Sequence, residues 1–278
     1  MRVVKLTLVG VLAVLLMTLT LTPAFADEGG GDLAAAAQNP VGSLISVPFK
    51  FNLDFGAENG EVLVVNLQPV YPVRVGDWNI VNRAIFPFID IPKGLTTGIP
   101  EIPGGTAGDG ATGIGDINYT PYFSPAVPKG FIWGIGPSIS FPTASDDQLG
   151  SGKWSGGLSA VVLAQPKPWT VGFIARQLWS FAGDSDRQDV NQFLLEPFIN
   201  YNLANGWYLT SDMVMTANWD APSDEQWTVP LGGGIGRLMK LGSQPVNMRL
   251  EYYYNVEKPK AAPDQSVSFT FVLLFPKK

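Results

Sequence analysis

The chain has 278 residues, with 31 Gly, 23 Pro, 16 Phe and 8 Trp, only 15% charged residues and a formal net charge of −6. The many aromatic residues exclude a disordered chain, and the acidic excess argues against a nucleic-acid partner, whose phosphates would repel it. Cysteine and histidine are both absent, which excludes disulfides, a lipid-anchored N-terminal cysteine and an ordinary zinc site.

The first 26 residues have the layout of a secretory signal peptide. Arg2 and Lys5 precede the apolar run 6–22, and Ala24-Phe25-Ala26 forms a cleavage site of small residues. We therefore expect residues 1–26 to be a cleaved signal peptide of an exported protein.

Residues 27–43 are predicted to form a periplasmic N-terminal segment. Asp32 is a candidate N-cap for a short helix, and Asn39-Pro40 is a signal for the end of that helix. The remaining residues, 44–278, form a single domain in this interpretation.

From residue 44 the apolar residues recur with a period of two. Every odd position from Ile45 to Phe55 is apolar, and polar residues alternate with them except at Pro48. This alternation is typical of β-strands. Read in this way, the sequence predicts twelve strands, at 44–55, 62–75, 78–91, 115–124, 131–141, 154–165, 169–181, 190–203, 207–219, 227–239, 246–256 and 265–275.

The connections and the tryptophans support a barrel that crosses a membrane. The longest predicted connections alternate with the tightest ones, such as Gly76-Asp77, as expected for outer loops and periplasmic turns. Every tryptophan lies near a strand end, where an indole ring reaches the membrane interface. The predicted interface residues are Trp78, Trp133, Trp154, Trp169, Trp179, Trp207, Trp219 and Trp227.

These patterns favour an all-β fold, a transmembrane antiparallel up-and-down β-barrel of about 12 strands. The alternative is a soluble sandwich or barrel, whose outward face would be polar and charged. Here the apolar face is rich in Phe, Leu, Val, Ile and Trp, and twelve strands of such residues would overfill a narrow interior.

The polar face of the strands carries five basic and five acidic residues. Because an Arg or Lys facing lipid at mid-membrane costs roughly 2–4 kcal/mol, we expect these residues to face the lumen. They form either structural ion pairs or the wall of a polar conduit, and Tyr122, Tyr208 and Tyr253 are candidate stacking surfaces. The predicted lumen residues are Lys50, Asp54, Arg74, Arg83, Asp116, Arg176, Glu196, Asp212, Arg249 and Glu251.

Three further features bear on the lumen and its chemistry. The glycine clusters 134–136 and 232–236 lack the helix of a nucleotide-binding loop and are predicted to be small lumen-facing residues. The loop 93–114 and the N-terminal residues 32–40 are candidates to constrict the lumen. Without His or Cys most nucleophile–base pairs are excluded, so we expect no enzyme activity, cofactor or metal.

Two segments resemble a known bacterial family. Residues 34–40 with Leu44-Ile-Ser-Val-Pro48-Phe, and Gly113-Ile-Gly115-Asp116-Ile-Asn118-Tyr with Tyr122-Phe-Ser-Pro125, resemble proteins of the MetA-pathway of phenol degradation family. The resemblance implies an outer-membrane barrel with a transport role and supplies no catalytic residues.

Two hypotheses for function follow. The first is a passive outer-membrane channel for small solutes, with aromatic or hydrophobic compounds as the class that the family name suggests. The second is a closed structural or surface-interaction barrel without transport activity. In both, the expected partners are outer-membrane lipid, lipopolysaccharide and the barrel-assembly machinery.

Overall fold

The computed structural model describes residues 29–57, 59–95 and 98–276, which contain one α-helix, one short 3-10 helix (Ala204–Gly206) and fifteen strands. The predicted signal peptide, residues 1–26, lies outside the described residues. The helix α1 spans Gly29–Ala37. The strands are β1 (Ile45–Ala57), β2 (Gly60–Leu67), β3 (Val70–Val75), β4 (Trp78–Ile91), β5 (Ala111–Ile114), β6 (Ile117–Pro125), β7 (Ile132–Phe141), β8 (Lys153–Ala164), β9 (Trp169–Gly183), β10 (Asn191–Asn202), β11 (Trp207–Asp212), β12 (Met215–Asn218), β13 (Trp227–Leu241), β14 (Gln244–Glu257) and β15 (Gln265–Phe275).

The helix begins earlier than the sequence indicates. Because the glycines that precede Asp32 also take the helical conformation, Asp32 lies within α1, and its predicted role as N-cap is wrong. The helix ends before Asn39-Pro40, as predicted, and the Asn39 side-chain oxygen accepts a hydrogen bond from the Val41 amide at 3.0 Å. No helix within the described residues is long and apolar enough to cross a membrane.

All fifteen strands belong to one antiparallel sheet that closes on itself. The first and last strands pair along their length, with Ile45 opposite Phe275 and Phe55 opposite Gln265. In three places two consecutive strands form one interrupted strand of the barrel: β2 with β3, β5 with β6, and β11 with β12. The result is a closed 12-strand barrel, which confirms the predicted fold.

Each interruption lies beside a proline of the neighbouring strand. Proline has no N–H to donate, so it cannot hold a regular ladder on both sides. Its carbonyl still accepts a hydrogen bond from the interrupted strand in all three places. These bonds are Gln68 N to Pro48 O (2.9 Å), Gly115 N to Pro87 O (2.9 Å) and Met213 N to Pro197 O (3.1 Å).

The two ends of the barrel differ in their connections. At the end where β1 begins, which we call the turn end, the connections are 76–77, 126–131, 165–168, 203–206 and 242–243. At the opposite end, the loop end, they are 58–59, 92–110, 142–152, 184–190, 219–226 and 258–264. The longest connections all lie at the loop end, as the sequence predicts.

Large apolar side chains occupy the outward face. Leu158 and Leu231 are 60% and 49% exposed. On the outward face of β1, β13, β14 and β15 the residues are so large that they cover one another: Phe269, which lies opposite Phe51 and Leu250, is only 2% exposed.

The outward face yields a test with a matched control. Ile235 lies near the middle of β13 and faces outward, whereas Val256 faces outward close to the loop end of β14. We expect Ile235→Arg to lower the free energy of unfolding by roughly 2–4 kcal/mol and Val256→Arg by about 0–1 kcal/mol. Denaturant unfolding in lipid vesicles measures both, and equal losses would contradict a bilayer centred on the strands.

Candidate functional site

The lumen contains a cavity of about 270 Å³ between two chain segments that enter it from opposite ends. Residues 35–41, which we call the N-terminal segment, enter from the turn end. The described residues of the connection 92–110, namely 92–95 and 98–110, which we call the inserted loop, enter from the loop end. Ala36–Pro40 line the cavity on one side, and Pro100, Glu101 and Pro103 line it on the other.

The N-terminal segment is held by one apolar anchor and by hydrogen bonds to Asn202 and Gln165. The Gln38 amide donates to the Asn202 side chain at 2.8 Å and accepts from it at 3.3 Å, and the Gln165 amide donates to the Ala35 carbonyl at 2.7 Å. Val41 is 2% exposed. Its apolar neighbours on the inner wall are Val81, Tyr122, Val161, Leu163, Ile174 and Phe198.

The inserted loop packs on an apolar part of the inner wall. Leu95, Ile99 and Ile102 form a buried cluster with inward-facing residues of β2 and β4 and with Leu149; the strand residues are Val62, Val64, Ile89 and Ile91. This packing explains why the alternation of β4 is irregular: near the loop end both faces of the strand are apolar. The two segments named as candidate constrictions therefore both enter the lumen.

Two polar contacts fix the tip of the inserted loop. The Asn66 amide donates to the Glu101 carboxylate at 2.6 Å, and the Gln192 amide donates to the Pro100 carbonyl at 3.1 Å. Asn66 and Gln192 belong to β2 and β10. The loop is thus attached to two separate parts of the barrel wall.

The structure brings seven of the ten predicted lumen residues to the cavity wall. Asp54 and Glu251 are not on that wall. Arg74 is exposed at the turn end, where its Nε donates to the Gly76 carbonyl at 3.1 Å. Alternation along a strand gives the face of a residue but not its depth, which is why Arg74 lies away from the others. The seven are Lys50, Arg83, Asp116, Arg176, Glu196, Asp212 and Arg249.

Arg249 is the centre of a buried ion network. Its guanidinium lies 3.0 Å from the Asp212 carboxylate and 3.7 Å from the Glu251 carboxylate, whose side chain is fully buried. The Tyr253 hydroxyl donates to Glu251 at 2.8 Å and accepts from the Asp212 amide at 2.7 Å. This part of the charged wall is therefore a structural network.

Glycines in β13 allow this network to form. Gly234 and Gly236 lie between β11 and β14, opposite Glu251 and Arg249 respectively. Because they have no side chain, residues of β11 and β14 meet across β13, as the Tyr208 hydroxyl does when it donates to Asn247 at 2.6 Å. A Cβ at Gly236 would collide with the Tyr208 ring. The space left by these glycines is filled by side chains, so they do not widen the lumen here.

Asp116 acts as an anchor for the loop 142–152. Its carboxylate accepts hydrogen bonds from the Ser151 amide (2.7 Å), the Ser151 hydroxyl (2.8 Å) and the Ala144 amide (3.2 Å). Because both of its carboxylate oxygens accept these bonds, the role of Asp116 at the cavity wall is structural.

The candidate stacking tyrosines are mostly unavailable. All three rings are buried, with Tyr122 and Tyr208 2% exposed and Tyr253 5% exposed, and of the three Tyr208 alone borders the cavity. The Tyr122 hydroxyl pairs with the Ser159 hydroxyl at 2.7 Å. The expectation that Tyr122 and Tyr253 offer stacking surfaces is therefore wrong, because neighbouring side chains cover both rings.

The cavity wall also contains uncharged polar residues that are not among the predicted lumen residues. Gln68, Gln192 and Asn247 line the cavity, and each follows the same alternation as the charged residues. The alternation in the sequence is therefore a signal that could have identified them. Glu101 was not predicted because it lies in a loop where no alternation exists.

The tryptophans lie at both ends of the barrel. Trp78, Trp133, Trp169 and Trp207 lie near the turn end, and the others near the loop end are Trp154, Trp179, Trp219 and Trp227. The ring centroids of Trp78 and Trp133 are 5.8 Å apart, and those of Trp219 and Trp227 are 5.5 Å apart. Edge-to-face contacts of this kind stabilise aromatic clusters.

Ion pairs join neighbouring connections at the loop end. The Lys153 ammonium lies 3.1 Å from Asp189, and together with the Ser180 hydroxyl it holds the pKa of that carboxyl below its usual range. Glu225 raises the pKa of Lys260 by a direct hydrogen bond, and Asp224 adds to that effect. These contacts attach the loop 184–190 to the start of β8, and the loop 258–264 to the loop 219–226.

No family model matches the chain, and no curated protein matches it. Among solved structures, it is similar to an outer-membrane channel from Pseudomonas putida F1, with a TM-score of 0.57 and 17% identity over 85% of this chain and 97% of that chain. Weaker matches are the CymD monoaromatic hydrocarbon channel (TM-score 0.46, 11% identity, 92% and 94% covered) and outer membrane phospholipase A from Escherichia coli (TM-score 0.45, 12% identity, 88% and 98% covered). The first likeness shows that the fold is that of an outer-membrane barrel.

The Arg249 network predicts a large loss of stability when Arg249 is replaced, and a recovery of stability when its two carboxylate partners are replaced as well. Arg249→Gln leaves the buried Asp212 and Glu251 carboxylates without a cation, so we expect the free energy of unfolding to fall by roughly 3–5 kcal/mol. Adding Asp212→Asn and Glu251→Gln removes the uncompensated charges and should recover most of the loss. Unfolding in vesicles tests both variants, and a triple variant as unstable as Arg249→Gln would contradict the charge argument.

Proposed function

We propose that the protein is an outer-membrane channel through which small solutes diffuse passively. The observation that carries the proposal is the lumen cavity of about 270 Å³, which lies inside a closed barrel between the N-terminal segment and the inserted loop. A barrel that served only as a structural element could fill its interior with side chains, as smaller barrels do. Here the wall at that depth carries polar and apolar side chains and encloses space.

The proposal includes the setting of the channel. The residues 1–26 direct export and are removed, and the strands then cross the outer membrane with the assistance of the barrel-assembly machinery. The two sets of tryptophans lie at the headgroup levels of the bilayer, where indole rings are favoured. The acidic loop end faces outward, toward lipopolysaccharide.

Membership of the MetA-pathway of phenol degradation family is also part of this proposal. It is supported by the two sequence segments quoted above and by the barrel fold. With it comes the expectation that aromatic or hydrophobic compounds are among the solutes. The inner wall next to the cavity offers apolar contacts for such compounds, from Ile174, Leu194 and Phe198 among others.

In this proposal the N-terminal segment limits the passage of solutes and ions through the lumen. Val41 is buried in the apolar cluster at the turn end, and an aspartate there costs roughly 3 kcal/mol or more because its charge has no partner. We expect Val41→Asp to release the segment and to increase single-channel conductance in planar bilayers. Val127→Asp, at an exposed position of the same end, is the matched control and should leave conductance unchanged.

The alternative function, a closed structural or surface-interaction barrel, predicts a different result. Refolded protein would then show no discrete conductance steps at any voltage, and Val41→Asp would show none either. Heat-modifiable mobility on gels establishes in both cases that the barrel has folded.

A further inference from the structure

Three of the four carboxylates on the cavity wall are already engaged by partners. Asp212 pairs with Arg249, and Asp116 accepts three hydrogen bonds from the loop 142–152. Glu101 accepts a hydrogen bond from Asn66, whereas Glu196 lies within electrostatic reach of Asp212 and Arg83. Most of the negative charge on the cavity wall thus holds the barrel and its loops together.

The cations on the wall are in a different situation. Within the part of the chain that the structure describes, Lys50, Arg83 and Arg176 make no ion pair, since no carboxylate oxygen lies within 4.0 Å of their nitrogens. Arg176 Nη2 donates to the Gln192 amide oxygen at 3.2 Å, and Arg83 Nη2 donates to the Gln68 amide oxygen at 3.1 Å. An amide oxygen orients a guanidinium but does not neutralise its charge.

Arg176 also has unused hydrogen-bonding capacity. Its Nε is buried, so a ligand can reach only the terminal nitrogens, of which Nη2 already donates to Gln192. The remaining terminal N–H groups can still bind a carboxylate through two parallel hydrogen bonds. Arg83, Glu101 and Glu196 lie near enough to interact electrostatically with Arg176, but neither carboxylate has an oxygen within 4.0 Å of its nitrogens.

Apolar side chains surround Arg176. Ile174 and Leu178 precede and follow it on the inward face of β9, and Leu194 lies opposite it on β10. Phe198 belongs to the same inward face of β10 and lines the cavity too. A ligand that binds Arg176 through an anionic group therefore has an apolar surface beside it for a ring.

We infer that the cavity binds small aromatic carboxylates, with the carboxylate on Arg176 and the ring against Ile174, Leu194 and Phe198. This inference rests on the proposed function and names its solute class. A cavity of about 150 Å³ is enough to bind benzene, so about 270 Å³ accommodates one ring with its carboxylate. An uncharged aromatic would leave the Arg176 charge without a counterion in the cavity, and an aromatic cation would be repelled by that charge.

The probes are benzoate, benzyl alcohol and benzylamine, which share one ring and differ in charge. Calorimetric titration of the refolded full-length mature barrel in detergent measures binding, and swelling of proteoliposomes measures permeation. We expect benzoate to bind, and to permeate faster than the other two. Arg176→Gln should weaken benzoate binding roughly tenfold or more, because a charge-assisted hydrogen-bonded pair is lost.

Arg74→Gln is the matched control. It removes the same charge from an exposed position at the turn end, outside the cavity wall, and should leave benzoate binding unchanged. Heat-modifiable mobility establishes that both variants are folded, and Arg176→Lys should retain part of the affinity, since it keeps the charge but loses the second hydrogen bond.

Binding, measured by calorimetry, tests the inferred site, whereas permeation, measured by swelling, tests the proposed channel function. Absence of benzoate binding, or equal binding by the wild type and Arg176→Gln, would overturn the inference whatever the permeability. Benzoate binding that depends on Arg176, without permeation of any probe, would support the binding site and contradict the channel.

Discussion

The constraint on which the structure depends is that lipid supplies no hydrogen bonds to a polypeptide backbone. Every N–H and C=O within the membrane must find a partner in the chain, and a sheet can meet that demand only by closing. The pairing of β1 with β15 achieves this closure. The prolines beside the interrupted strands also satisfy this constraint. They have no N–H to donate, but the carbonyls of Pro48, Pro87 and Pro197 accept hydrogen bonds from the backbone amides of Gln68, Gly115 and Met213.

Closure creates an interior, and two inserted segments divide it. The N-terminal segment brings Val41 to an apolar cluster at the turn end, and the inserted loop brings Leu95, Ile99 and Ile102 to another at the loop end. Between these clusters the wall carries both charged and apolar side chains, and Arg249 pairs there with Asp212 and Glu251. The charges on the wall therefore fall into two groups. Asp116 and Asp212 hold the structure together, whereas Lys50, Arg83 and Arg176 have no carboxylate oxygen within 4.0 Å of their nitrogens in the part of the chain that the structure describes.

Much of this could be predicted from the sequence, because alternation along a strand is a local property. It predicts the strands and their even number, and it predicts that Arg176 and Arg249 face inward. It does not predict depth or long-range packing. The sequence gives no sign that Arg74 lies at the rim, that the loop residue Glu101 reaches the cavity, or that Gly236 is required by the Tyr208 ring. Each of these depends on which segments meet in space.

The central claim is that alternate residues of one strand face lipid and an aqueous lumen, and the absence of native cysteine makes it directly measurable. Single cysteines placed along β1 from Ser46 to Asn52 carry nitroxide labels, and their collision rates with oxygen and with a polar nickel complex are compared in bilayers. We expect collisions with oxygen to dominate at Val47, Phe49 and Phe51, and collisions with the nickel complex at Ser46, Lys50 and Asn52, which line the cavity. Equal access to the nickel complex along the whole strand, or the opposite alternation, would contradict this claim.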